Sequence, residues 1–167
     1  GKIYLNKLLH KFLNEESLPN QLCKIKFTLL HKKGDDKNPD NYRGIALINT
    51  ITKLFTSIIN NRIQIWIESF EILPESQAGF RKNRSCIDNL FTFNTIIQSR
   101  LLKNMNNTFA IFIDFSKAFD SVIHETLWYK LYSTGVSGKL VRTLMNIYNN
   151  SSMQISVNQE LTEALPI

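Results

Sequence analysis

The chain has 167 residues, 43% of them hydrophobic and 20% charged, the composition of a globular domain rather than of a disordered tail. No apolar run approaches the roughly 18 to 20 residues of a membrane helix, and no signal-peptide pattern opens the sequence, so it reads as an intracellular protein without a membrane partner. The net charge of +6 is unevenly placed: Lys24, Lys26, Lys32, Lys33, Lys37 and Arg43 crowd one segment, and Arg81, Lys82 and Arg84 another, which suits a solvated surface or a polyanion partner.

Ile3, Leu5, Leu8, Leu9, Phe12 and Leu13 recur with a helical rhythm that Pro19-Asn20 breaks. From Lys24 to Lys32 the pattern alternates, with Ile25, Phe27 and Leu29 on one face, which predicts a half-buried strand. Lys33-Gly34-Asp35-Asp36 reads as a turn, and Gly44–Ile48 as the returning strand of a hairpin. A helix follows over about 50–68 on Ile51, Leu54, Phe55, Ile58, Ile59 and Trp66. Residues 69–84 form a loop punctuated by Pro74 and Gly79. Ser85 and Asp88 then resemble a capping box opening a helix to about Lys103, with Ile87, Leu90, Phe91, Ile97 and Leu101 as its apolar positions.

After a polar break at 104–107, Thr108–Asp114 is apolar until its last residue and predicts a strand covered on both faces. Helices are expected over about 124–133 and 137–149, and a short strand over 152–158. Cys23 and Cys86 have no Cys or His partners at metal-ligand spacing, which disfavours a disulfide or zinc site and fits buried reduced thiols.

A carboxylate ending a buried strand, as Asp114 does, can be held rigidly where a divalent cation would neutralise it, the placement phosphoryl transfer needs. A helix cap or turn former is the plainer reading of a strand-terminal Asp. The surrounding blocks decide between them. Lys32-Lys33-Gly34 with Asn38-Pro39-Asp40-Asn41-Tyr42-Arg43-Gly44-Ile45-Ala46-Leu47, then Lys53-Leu54-Phe55 and Asn61-Arg62-Ile63, then Gln77-Ala78-Gly79-Phe80-Arg81-Lys82-Asn83-Arg84-Ser85, and finally Phe112–Asp120 occur in order over roughly residues 22–135. Together they resemble the reverse transcriptases of non-long-terminal-repeat retrotransposons.

The resemblance implies an α+β fold of the right-hand polymerase type, with fingers over about 1–107 and the beginning of a palm over about 108–167. It implies an RNA-directed DNA polymerase acting on an RNA template, a DNA primer or target and dNTPs, with Mg²⁺ as cofactor. Asp114 would bind the metal, helped by the backbone carbonyl of Phe115. Phe119 would lie under the sugar of the incoming nucleotide and disfavour a 2′-hydroxyl, with a core aromatic as the alternative.

Arg43 would grip the triphosphate, since a guanidinium fork matches phosphate oxygens. Lys32 or Lys33 would add a second charge, with Lys32 preferred because it closes the alternating strand. Gly79, Phe80, Arg81 and Arg84 would lie near template or other nucleic acid. Asp120 would brace the next turn, Arg62 would form a structural ion pair, and Lys117 is either solvated or near a phosphate. Cys86 stands where Thr is commoner.

Two further blocks of the family, "GxxQG" and the "YxDD" hairpin, are missing, and both ends of the sequence read as cut. The expectation is therefore a fragment inactive by itself, with a non-catalytic RNA- or DNA-binding remnant as the alternative. An uncovered palm strand would make such a chain prone to self-association. The resemblance is compatible with nucleus or cytoplasm, no localisation signal being visible, and leaves the oligomeric state unknown.

Overall fold

The computed structural model describes residues 1–103, 107–157 and 160–166, so the expected break at 104–106 and the last residue of the 152–158 strand lie outside the described residues. Two compact units divide the chain. The first joins residues 1–60 to 128–167, and the second is the intervening 61–127.

Helix α1 (Lys2–Glu15) opens the first unit. It stops where Glu16 turns left-handed at φ 54°, its N–H donating to the Phe12 carbonyl. Strand β1 (Lys24–His31) and strand β2 (Tyr42–Leu47) form the expected antiparallel hairpin, in a register that sets Leu30 against Arg43 and His31 against Tyr42. Ile25 and Phe27 are half-buried as the alternation requires, whereas Leu29 is exposed.

Helix α2 (Thr50–Ser69) follows and runs on into the second unit; helix α4 (His124–Ser133), which begins in that unit, leads back to helix α5 (Gly138–Asn149) and strand β3 (Ser152–Val157). Strand β3 pairs parallel with β1, Phe27 opposite Ile155. The short strands β4 (Glu160–Leu161) and β5 (Leu165–Pro166) both pair antiparallel with β3. The result is a small mixed sheet in the order β2-β1-β3-β4.

The core of this unit is helical. Phe55, with no exposed surface, meets Phe12 edge-on at 5.7 Å between ring centroids. Burying one such aromatic stabilises by about 1.5–3 kcal/mol. Ile59, Val141, Val136, Trp128 and Ile147 complete the buried set with Leu18 and Cys23. Thr52 is also buried, and its hydroxyl donates to the Leu22 carbonyl at 2.6 Å, so no polar cost is left unmet. Helix α5 is fixed to the end of α1: Arg142 donates from Nε and Nη2 to the two Glu16 carboxylate oxygens, each at 2.7 Å. Asn146 adds a bond to the Glu16 carbonyl at 2.9 Å.

The second unit contains the end of α2, a loop over 70–85, helix α3 (Cys86–Leu102) and an irregular segment up to α4. Asp88 caps α3 by accepting from the Ser85 backbone N–H at 2.6 Å, so the capping signal is correct. The apolar face of α3 is a different matter: Ile87, Leu90, Phe91 and Leu101 are all exposed. Ala78 is the buried apolar residue of this unit among the described residues.

The expected strand over 108–114 does not form, and the segment carries no regular secondary structure. A strand exists only through hydrogen bonds to a neighbour, and no strand among the described residues pairs with this run. Its side chains are not covered on two faces either, since Phe109, Ile111, Phe112 and Ile113 are each more than three-quarters exposed. Phe112 approaches Phe93 of α3 edge-on, with ring centroids 5.8 Å apart.

Cys23 is buried, and burial pushes its thiol up from the ordinary value, as expected of an inert core cysteine. Cys86, at the first turn of α3, is exposed, contrary to expectation. No helix among the described residues is long and apolar enough to cross a membrane.

Candidate active site

In the first unit the basic residues sit on a stiff hairpin. The ladder runs past β1, because the Lys32 N–H donates to the Asn41 carbonyl at 2.8 Å. Alternation along β1 then gives Lys32 the same face as Leu30 and its cross-strand partner Arg43, while Lys33 lies beyond the ladder in the turn. The connecting loop is cross-braced: Asn41 Nδ2 donates to the Asp35 carbonyl at 2.9 Å, the Tyr42 hydroxyl to the Asp36 carbonyl at 2.8 Å, and Asp35 Oδ1 accepts from the Lys37 N–H at 3.0 Å. Gly34 turns the chain at φ 91°, a conformation that favours glycine. Lys32, Lys33 and Arg43 are exposed and form no ion pair among the described residues. Three such cations on a braced loop can hold a polyphosphate without breaking an existing bond.

Gly44 shows why the hairpin packs as it does. A β-carbon there would stand 2.4 Å from Cε1 and 2.7 Å from Cδ1 of Phe27, so the glycine makes room for the ring across the strands.

In the second unit the candidate residues are treated unequally. Gly79 is open, with nothing near the position of a β-carbon, and Phe80 is 84% exposed. Arg81, by contrast, is turned inward. Its Nε and Nη2 donate to the two oxygens of Glu68 at 2.9 and 2.7 Å, and Nη1 reaches the carbonyls of Pro74 and Gln77 at 3.0 and 3.4 Å. Glu75 approaches Nη2 at 3.7 Å and also pairs with Arg84. Arg81 holds the Glu68 carboxyl below the usual range by hydrogen bond and charge, and Glu68 raises Arg81 in return.

A guanidinium saturated in this way is a loop clamp in this structure, not a free phosphate ligand. Glu68 and Glu75, which the sequence does not single out, are therefore part of the site's framework. Glu68 stands 13 residues from Arg81, a separation that no local pattern announces.

Asp114 is exposed in the irregular segment, as is Phe115 beside it. The chain then turns at Lys117–Ser121, with Lys117 left-handed at φ 51° and exposed. The Ser121 N–H donates to the Lys117 carbonyl at 3.1 Å and the Val122 N–H to the Phe119 carbonyl at 3.3 Å. Asp120 sits in this turn but makes no side-chain hydrogen bond among the described residues; the Ser121 hydroxyl, donating to Ala118 at 3.1 Å, does the bracing instead. Arg62 is exposed and its expected ion pair does not form among the described residues. Phe119 is 80% exposed, which removes the core-aromatic reading, and its ring meets Phe80 edge-on.

The expected magnesium finds an incomplete donor set. Among the described residues no group of three or more His, Cys, Asp or Glu side chains is placed to hold a metal ion. Asp114 and the Phe115 carbonyl alone do not satisfy an octahedral cation, so these residues do not by themselves fit a two-metal centre.

Comparison with known proteins supplies the frame for this arrangement. The family model described as "Reverse transcriptase (RNA-dependent DNA polymerase)" matches residues 30–163. The chain is 32% identical over 127 residues to the probable RNA-directed DNA polymerase from transposon BS of Drosophila melanogaster, covering 75% of this chain and 14% of the relative. It is 26% identical over 141 residues to the Pol polyprotein from type-1 retrotransposable element R2 of Popillia japonica, covering 84% of this chain and 19% of the relative. It is 26% identical over 132 residues to the RNA-directed DNA polymerase from mobile element jockey of Drosophila melanogaster, covering 76% and 14%. The chain thus spans less than a fifth of the length of these relatives.

Proposed function

We propose, from the fact that this chain belongs to the reverse transcriptase (RNA-dependent DNA polymerase) family, that it forms part of an RNA-directed DNA polymerase of a non-long-terminal-repeat retrotransposon. The observation that carries the reading is the family match over 30–163, which takes in both the basic hairpin and Asp114. Residues 1–107 would serve as fingers and 108–167 as the beginning of the palm. These roles differ from the two compact units, which reflect packing rather than task.

In this reading the substrates are an RNA template, a DNA primer or target and dNTPs, met in the nucleus or cytoplasm. The primer 3′-hydroxyl attacks the α-phosphate of a dNTP, and pyrophosphate leaves. Arg43 and Lys32 bind and orient the triphosphate, a guanidinium fork with an ammonium beside it. Phe119 lies beneath the sugar and leaves no room for a 2′-hydroxyl. Gly79 and Phe80 lie along the template. Asp114 and the Phe115 carbonyl would be this chain's contribution to a Mg²⁺ site, where a bound cation would supply charge neutralisation at the reacting phosphate; by themselves they do not complete one.

Primer extension tests this. The polymerase carrying these residues should extend a primer on an RNA template with dNTPs, and Asp114→Asn should abolish extension. Undiminished extension by that variant would remove Asp114 from the chemistry. The isolated chain is expected to incorporate nothing.

The unpaired cations of the hairpin, among the described residues, also support a second reading, a remnant that binds RNA or DNA through them without chemistry. RNA binding without extension, even by the longest chain carrying these residues, would select it.

A further inference from the structure

Phe80 and Phe119 bring two separate stretches of the second unit together. Their ring centroids are 6.2 Å apart and their planes lie at 85°, an edge-to-face pair. Neither ring belongs to a core, since they are 84% and 80% exposed. The pair is therefore a raised aromatic corner, not a by-product of close packing.

The two partners are held differently. Phe80 has φ 62°, a left-handed conformation that a residue with a bulky side chain seldom adopts unless its surroundings impose it. The imposition is visible. Arg81, the next residue, is locked to Glu68 and to the Pro74 and Gln77 carbonyls, and the amide of Gln64 reaches the Phe80 carbonyl at 3.5 Å. Phe119 lies in a turn closed by the backbone bonds around Lys117–Val122. Side-chain bonds hold the backbone that carries the Phe80 ring, which gives that ring a fixed base from which to steady Phe119.

We propose that Phe80 is a positioning residue for Phe119, setting how firmly that ring stands against a 2′-hydroxyl on the incoming nucleotide. This rests on the reading of Phe119 as the residue beneath the sugar. The near-perpendicular contact with Phe80 limits how the Phe119 ring can turn, so loss of the partner lets the ring swing and admits the larger ribose. The clamp at Arg81 then acts on nucleotide choice at one remove, through Phe80.

The test is the ratio of kcat/KM for dNTP to that for rNTP in primer extension by the polymerase carrying these residues. Phe80→Ala should lower the ratio by about 2- to 10-fold, the range an aromatic pair of this kind supports, whatever happens to the overall rate. Phe80→Tyr should restore it. Phe119→Ala should lower the ratio further, and the double variant should match Phe119→Ala alone.

If Phe80 served only the template, its loss would slow both nucleotides alike and leave the ratio unchanged, which overturns the proposal. If Phe119→Ala leaves the ratio unchanged, the underlying reading of Phe119 fails instead. A measurement on the 167-residue chain stands apart from activity. Nuclear Overhauser contacts between the two rings are expected, and their absence overturns the proposal.

Discussion

Arg81 closes a two-pronged ion pair on Glu68, at 2.9 and 2.7 Å, and so ties the 70–85 loop to the last turns of α2. Removing either partner should release the loop. Glu68→Ala or Arg81→Ala is expected to speed amide hydrogen exchange over 70–85 and open that stretch to proteolysis, with α5 protected as before. Arg81→Lys should not repair the loss, because one ammonium cannot span two carboxylate oxygens and two carbonyls. A loop equally protected in all variants would show that the clamp is incidental.

Acid should loosen two joints in the same direction. Hydrogen bonds from Arg81 and Arg142 hold the Glu68 and Glu16 carboxyls below the ordinary carboxylate value. A carboxyl depressed in the folded state stabilises above its unfolded pKa, and the contribution is lost as the pH falls through the lower folded value. Thermal midpoints should therefore decline from about pH 5 downward, in part through these pairs. Arg142→Ala should lower the midpoint at neutral pH and make its acid decline shallower. A slope identical to that of the parent would mean that the Glu16 pair carries none of the decline.

Gly44→Ala should destabilise the hairpin by on the order of 1 kcal/mol, since the new methyl displaces the Phe27 ring. Phe27→Leu should suppress much of that cost by removing the atoms in the way. Denaturant unfolding of the two single variants and the double variant gives the answer. Additive losses would exclude the close approach as the cause.

The apolar run 108–113 and the bare face of α3 should make the isolated chain associate. Sedimentation at rising micromolar concentration should show growing assemblies, and Ile111→Lys with Phe112→Lys should reduce them. A parent chain that stays monomeric throughout would refute this.

Within the complete polymerase, Arg43→Ala should raise KM for dNTPs by about tenfold or more, with Arg43→Lys between the two, as loss of a charge-assisted phosphate contact predicts. Lys32→Ala should cost more than Lys33→Ala, because only Lys32 shares the face of Arg43. Equal effects of the two lysines would show that the loop, not the ladder, sets their reach.

The elements that could be read in the sequence are those whose signals are local. The alternation of Ile25 and Phe27, the periodic Phe55 and Ile59, and the Ser85–Asp88 cap each describe a neighbourhood of a few residues, and each is found. Thr108–Asp114 has equally strong local propensity, but a strand needs a partner, and partnership is not written into the run itself. The pairing of Arg81 was hidden for a similar reason: its charge is visible in the sequence, and the carboxylate it meets lies 13 residues away. The exposure of Phe119 and its contact with Phe80 are equally non-local. The role proposed for Asp114 rests only on its flanking blocks, since a lone aspartate after an apolar run has several uses.

The discontinuity of the first unit has a consequence for how the chain is made. Lys24–Thr28 of β1 take their parallel neighbours from Ser152–Ser156, and Glu16 takes its arginine from 126 residues downstream. During synthesis the first strand therefore leaves the ribosome with β2 on one side and its other edge bare until residues 152–156 have emerged. Pairings that close so late are slow to nucleate, and the waiting edge is where a nascent chain finds wrong partners. Pulse-labelled ribosome-bound chains should accordingly gain protease resistance in residues 1–60 only once β3 has cleared the exit tunnel.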